Sequence, residues 1–281
     1  MSLKNIVLIF CFIILVISCK KDRVKDFSTL SDVEKTEYTK EYFDFAYNFL
    51  QTSELRRTFI DSALFVQPTN VEYRQRHSYS YKKVGEHIKA MEVLNKAVEI
   101  DVANGKANAL EYRAWSLLYF YRDYEGTVED INLIEEITGE VYNTCWGEPC
   151  GFHKGQALYK LKRYEEAIEA LKLVNSEEEK LGFNSDDNYK IFFYIGRCYD
   201  ELKDYDKAIE NYQKALQSVD KFPEAYYQLG LVYKKLGDIN LSRVNLELAH
   251  KYLIYSINEP YVERLDEVFL YMIDDALGTL K

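Results

Sequence analysis

Small residues and tyrosines recur in this chain at a spacing of 34, and that period limits the fold more than any other feature. From Tyr189 to Phe222, Gly196 stands at position 8, Tyr199 at 11, Tyr205 at 17, Ala208 at 20, Tyr212 at 24 and Ala215 at 27. Pro223–Ser256 fills the same places with Gly230, Tyr233, Ile239, Ser242, Leu246 and Ala249. Glu148–Leu181 does so with Gly155, Leu158, Tyr164, Ala167, Leu171 and Val174, and Val71–Asn104 with Ser78, Tyr81, Ala90, Leu94 and Ala97. Asn108–Val141 keeps Leu118, Tyr124 and Ile131 but carries Trp115 at 8, Thr127 at 20 and Ile134 at 27. Glu37–Asn70 matches only at Tyr47, Ala63, Leu64 and Pro68. A heptad coiled coil does not fit, because the small residues and turn signals return every 34 residues rather than every seven.

This spacing resembles the tetratricopeptide repeat, with "RYEEAIEAL" close to the family consensus. The resemblance implies an all-α fold: a right-handed superhelical solenoid of antiparallel helix pairs with a C-terminal capping helix. A single helical hairpin cannot bury its apolar face, so neighbours stack. The repeats expected are 37–70 (degenerate), 71–104, 108–141, 148–181, 189–222 and 223–256, making a solenoid over 37–256. In such a repeat positions 8 and 20 face each other and position 27 touches the next hairpin, so Gly or Ala there lets backbones approach. Trp115 at such a position predicts either a change of superhelical twist or a wider local core. After Ser256 the period ends. Val262, Leu265, Phe269, Met272, Ile273, Ala276 and Leu280 then share one helical stripe within 257–281, predicting a helix that caps the array or dimerises.

The amino terminus reads differently. Lys4 precedes an apolar run from Ile6 to Ile17, short for a membrane span and suited to a signal peptide. The run ends Val16-Ile17-Ser18-Cys19, which resembles the bacterial lipobox. That resemblance implies cleavage after residue 18, lipidation of Cys19, and membrane attachment through several acyl chains on one cysteine. Lys20 rather than Asp follows, so outward passage to the outer membrane of a bacterial envelope is expected, facing periplasm or surface. Residues 19–36 are polar and read as a tether.

Composition excludes several functions. A formal charge of −10 without a Lys/Arg cluster argues against nucleic acid as a partner. There is no HExxH, no GxSxG, no phosphate-cradling glycine loop and no dinucleotide fingerprint, so neither enzyme chemistry nor a cofactor is expected. Cys145 and Cys150 bracket a Trp-Gly-Glu-Pro interruption between repeats. They read as a disulfide or as two free thiols; a metal site with His153 lacks a fourth ligand. Trp146 between them reads either as an exposed anchor or as a plug.

In arrays of the family resembled, positions 2, 5, 9, 12 and 13 of each first helix line a concave groove. By that resemblance the partner-binding residues are Tyr112, Tyr119, Phe120, Phe152, Gln156, Tyr159, Phe193, Arg197 and Tyr227. Aromatic rings with a few polar groups suit recognition of a protein or peptide segment. The Lys/Asn/Arg clamp for a terminal carboxylate is absent at its usual places, where Gln75 and Tyr79, or Tyr112 and Ser116, stand. The expected function is that of a lipid-anchored envelope scaffold or adaptor. The rival expectation is an immunity-type protein that neutralises a toxin or enzyme by covering it.

Overall fold

The computed structural model describes residues 27–183, 188–255 and 265–280. Its contacts divide the chain into two compact units, 1–93 and 94–281. Cys19 and the apolar run before it lie outside the described residues, as does Val262.

The first unit holds α1 (Asp32–Ala46), α2 (Glu54–Val66), α3 (Val71–Lys83) and the start of α4 (His87–Ala103). A capping box starts α1: Ser31 Oγ accepts from the Glu34 amide, and the Glu34 carboxylate accepts from the Ser31 amide at 2.9 Å. Asn70 caps α3 by accepting from the Tyr73 amide. Phe43, Ala46, Ile60, Ala63 and Tyr73 make the core, with the Phe43 and Tyr73 rings stacked at 4.2 Å.

The second unit begins within α4. It continues with α5 (Asn108–Ser116), α6 (Tyr124–Thr138), a two-residue hairpin of β1 (Thr144–Cys145) and β2 (Glu148–Pro149), then α7 (Cys150–Lys160) and α8 (Tyr164–Lys180). α9 (Tyr189–Glu201), α10 (Tyr205–Ser218), α11 (Pro223–Lys235), α12 (Ile239–Tyr252) and α13 (Leu270–Gly278) complete it. These are antiparallel pairs of an all-α solenoid, and the small residues do the work their spacing implies. A Cβ on Gly196 would lie 2.8 Å from the Tyr212 ring, and one on Gly230 would lie 2.6 Å from Leu246. Ala167, Ala208, Ala215 and Ala249 are fully buried.

The third pair departs from the period for a visible reason. After Ser116 the helix widens into a π-helix over Leu117–Tyr121 and stops at Arg122, which adopts the left-handed conformation (φ 58°). A π turn accommodates one extra residue. From Gly155 to Ala167, and from Gly196 to Ala208, there are 12 residues; from the fully buried Ala114 to the fully buried Thr127 there are 13. Ala114 therefore takes the close-packed place, and Trp115 moves to position 9, the place of Gln156 and Arg197 in their own repeats. The π-helix thus absorbs the one-residue mismatch in this repeat.

The carboxyl-terminal stripe also differs. Leu265–Phe269 is not helical, and Phe269, expected on the apolar face, is exposed. Helix α13 starts only at Leu270, with Ile273, Ala276 and Leu280 packed among Tyr227, Leu246, Ala249 and Val268. Among the described residues no helix is long and apolar enough to cross a membrane.

Candidate functional site

α7 and α9 are neighbouring first helices, so side chains at matching positions in the two repeats stand side by side. Phe152, Gln156 and Tyr159 project from α7, Phe193 and Arg197 from α9. All of these but Arg197 are buried, as are Tyr112, Tyr119 and Tyr227, while Phe120 is half-buried on the π-helix. Most of the residues expected to line an open groove are thus covered, and Tyr119, Phe152, Tyr159 and Phe193 share one buried cluster.

Its bonds run across repeats. Tyr119 donates to Gln156 Oε1 at 2.7 Å. Arg197 donates to the Tyr159 hydroxyl at 2.6 Å, with its guanidinium 4.8 Å above that ring. Tyr194, not anticipated, fills the centre: its ring lies 5.8 Å from Phe152, 6.0 Å from Tyr159 and 5.5 Å from Phe193. Burial pushes the Tyr194 phenol well above its ordinary range, so it keeps its proton and can donate it in a hydrogen bond.

What covers this cluster is the chain itself. Asp266, in the non-helical segment before α13, accepts from Lys160 Nζ at 2.7 Å, Arg197 Nη1 at 2.9 Å and the Tyr194 hydroxyl at 2.7 Å. Lys160 also donates to the Leu265 carbonyl at 3.1 Å. Leu265 packs on the core of α7–α10, and Val268 is buried beside Tyr227. The Asp266 side chain is 8% exposed. Burial opposes its charge, yet Arg197 and Lys160 outweigh that and hold its carboxyl below the usual carboxylate range.

A second cluster lies at the hairpin. Cys145 and Cys150 are joined by a disulfide, and both are buried. Between them Trp146 turns outward with a positive φ of 55°, half of its surface exposed. Its ring centroid is 4.8 Å from Tyr112 and 6.1 Å from Trp115, so the two tryptophans and the tyrosine form one ledge. On β2, Glu148 accepts from Lys190 at 2.7 Å and stands 3.5 Å from His153 Nε2. Burial raises its pKa, but His153 and Lys190 prevail and set it at about 2. Among the described residues, no group of three His, Cys, Asp or Glu could hold a metal ion.

Repeat spacing could locate Gln156 and Arg197 in sequence. It could not locate Trp115, because the extra residue in the π-helix moves the register. Asp266 lies outside the periodic array and carries no local signal.

The tetratricopeptide-repeat pattern matches residues 71–104 and 152–180, and a second TPR-repeat pattern matches 196–237. Among curated proteins, FK506-binding protein 5 of Rhizopus delemar is 36% identical over 118 residues, covering 38% of this chain and 31% of that protein. The chain thus spans about a third of the length of that relative. Among solved structures, the Cut9–Hcn1 hetero-tetramer of the APC/C superposes at TM-score 0.57 and 16% identity, over 86% of this chain and 42% of that one. YrrB, described as a TPR protein with an unusual peptide-binding site, gives 0.53 at 16% over 78% and 97%. PilW, a type IV pilus biogenesis factor, gives 0.51 at 16% over 83% and 97%. The chain therefore carries tetratricopeptide repeats at 71–104, 152–180 and 196–237 on an all-α solenoid.

Proposed function

We propose that this protein is a non-enzymatic adaptor, held to a bacterial envelope membrane by a lipid on Cys19, that grips a segment of a protein partner along the first helices of its repeats. The observation that carries this reading is the seating of Leu265–Val268. A stretch of non-helical chain already lies against the α7 and α9 side chains, gripped through a carboxylate and two apolar residues. Lys160, Tyr194 and Arg197, which hold this segment, are the donors a partner segment would use. The fold neighbours include a protein with a peptide-binding site and a pilus biogenesis factor, which agrees with this class of work.

The test is cross-linking in intact cells with the tagged full chain. A dominant envelope protein should be captured by wild type and lost with Trp115→Ala together with Trp146→Ala. Capture that survives both substitutions and survives Arg197→Ala would remove the first helices as the binding surface. Cys19→Ser should move the protein out of the membrane fraction; full retention there would remove the lipid anchor.

A further inference from the structure

Three groups on two helices converge on one carboxylate. Lys160 ends α7, Tyr194 and Arg197 lie one turn apart on α9, and Asp266 reaches them across 106 residues of sequence from Lys160. Both cations are largely withdrawn from water, with side chains 21% and 17% exposed. The nearby Asp200 is already engaged by Lys235 at 2.6 Å. Without Asp266 the socket would hold two half-buried positive charges and a buried phenol donor with no counter-charge, an arrangement that demands an anion. The groups beside the carboxylate set further requirements. Leu265 immediately before it packs against the α7–α10 core, and Val268 two residues after it is buried in the cluster that holds Tyr227. This segment lies outside the 34-residue periodic array.

We infer that Lys160, Tyr194 and Arg197 form a recognition socket for an acidic peptide of the partner chain, with an apolar residue directly before the acid and a second apolar residue two positions after it. Leu265–Val268 occupies that socket as an internal stand-in, and the partner displaces it. The proposal rests on the adaptor reading and adds the chemistry of the ligand. A socket made of two cations rejects a basic or neutral segment, because only an anionic group compensates the charge it must desolvate.

The probe is a fluorescent, end-blocked peptide, Leu-Asp-Glu-Val-Phe-Leu, copied from residues 265–270. The full chain should bind it weakly, and Asp266→Asn should bind it at least about tenfold more tightly, since the competing occupant is weakened. The peptide with Asn in place of its Asp should bind neither protein, and Arg197→Met in the Asp266→Asn background should abolish binding. Equal affinity for wild type and a folded Asp266→Asn would overturn the proposal. Should Asp266→Asn fail to fold, hydrogen exchange on wild type decides: excess peptide should speed amide exchange in 265–269, and unchanged exchange at millimolar peptide would overturn it. A dimer in light scattering that the peptide dissociates would assign the socket to a second copy and overturn the partner version. Loss of peptide binding alongside partner capture through Trp115 and Trp146 would sink the acidic-peptide claim and leave the adaptor reading standing.

Discussion

Arg197 Nη1 lies 2.9 Å from Asp266 Oδ1 while the same guanidinium donates to Tyr159 at 2.6 Å, so one side chain ties two first helices to the carboxyl-terminal segment. Both partners of the ion pair are mostly buried, and burial makes the loss of either one costly. Arg197→Met should destabilise the second unit by about 1–3 kcal/mol, because Asp266 then keeps only Lys160 and Tyr194 as partners. Urea unfolding measures this. A loss under about 1 kcal/mol would place the pair with weak surface bridges.

Gly196 and Gly278 make a matched test of close packing. Ala at 196 would bring a Cβ to 2.8 Å from the fully buried Tyr212 ring and 3.2 Å from the Ala208 carbonyl, neither of which can swing aside. The cost expected is about 1–3 kcal/mol, despite the better helix propensity of alanine. Nothing lies within 4 Å of a Cβ on Gly278, so the same substitution there should be neutral or stabilise by up to about 1 kcal/mol. Equal effects on melting temperature would contradict the packing account.

Acid should weaken the first unit through His77. The ring is 2% exposed, and burial, followed by the charges of Lys89, Arg57 and Arg74, lowers its pKa to about 4. Asp61 faces it at 3.5 Å and is itself pushed up by burial, with Lys89 and Arg57 opposing. A base with a lowered native pKa binds fewer protons folded than unfolded between its two values. Stability contributed by the neutral ring is therefore whole above about 6.5 and drains as pH falls toward about 4, by at most about 3 kcal/mol. His77→Phe should flatten that slope in denaturant midpoints taken at pH 7 and pH 4.5. An unchanged slope would show that other groups carry the acid sensitivity.

Reducing the disulfide should act locally. Cys145 and Cys150 are five residues apart, and closing so short a loop restrains the unfolded chain by about 2 kcal/mol. Reduction, or Ser at both positions, should cost no more than that. It should also loosen the hairpin that presents Trp146 against Tyr112, shifting tryptophan emission to the red. An emission spectrum unchanged by reductant would mean that the ledge is held by ring packing alone.

Much of the fold was readable because helix pairing depends on local chemistry. Gly155, Gly196 and Gly230 mark where one helix must approach the next, and they keep that meaning without knowledge of anything distant. The third repeat misled for a physical reason. Its extra residue is hidden in a π-helix at Leu117–Tyr121, and only the burial of Ala114 shows that Trp115 faces out of the close-packed position. The aromatic residues Phe152, Tyr159 and Phe193 were placed on the right helices, but their burial depends on what covers them.

The sequence by itself determined the helical hairpins, their order and the small residues that let them stack, because each depends on side-chain volume repeated at fixed intervals. Tertiary structure alone decided the site. Asp266 looks like any surface acid until folding brings Lys160 and Arg197 each within 3 Å of it. Charge complementarity between segments 106 residues apart, as for Lys160 and Asp266, has no period and no local signature. It exists only once the backbone has placed the groups and burial has removed the water that would otherwise screen them.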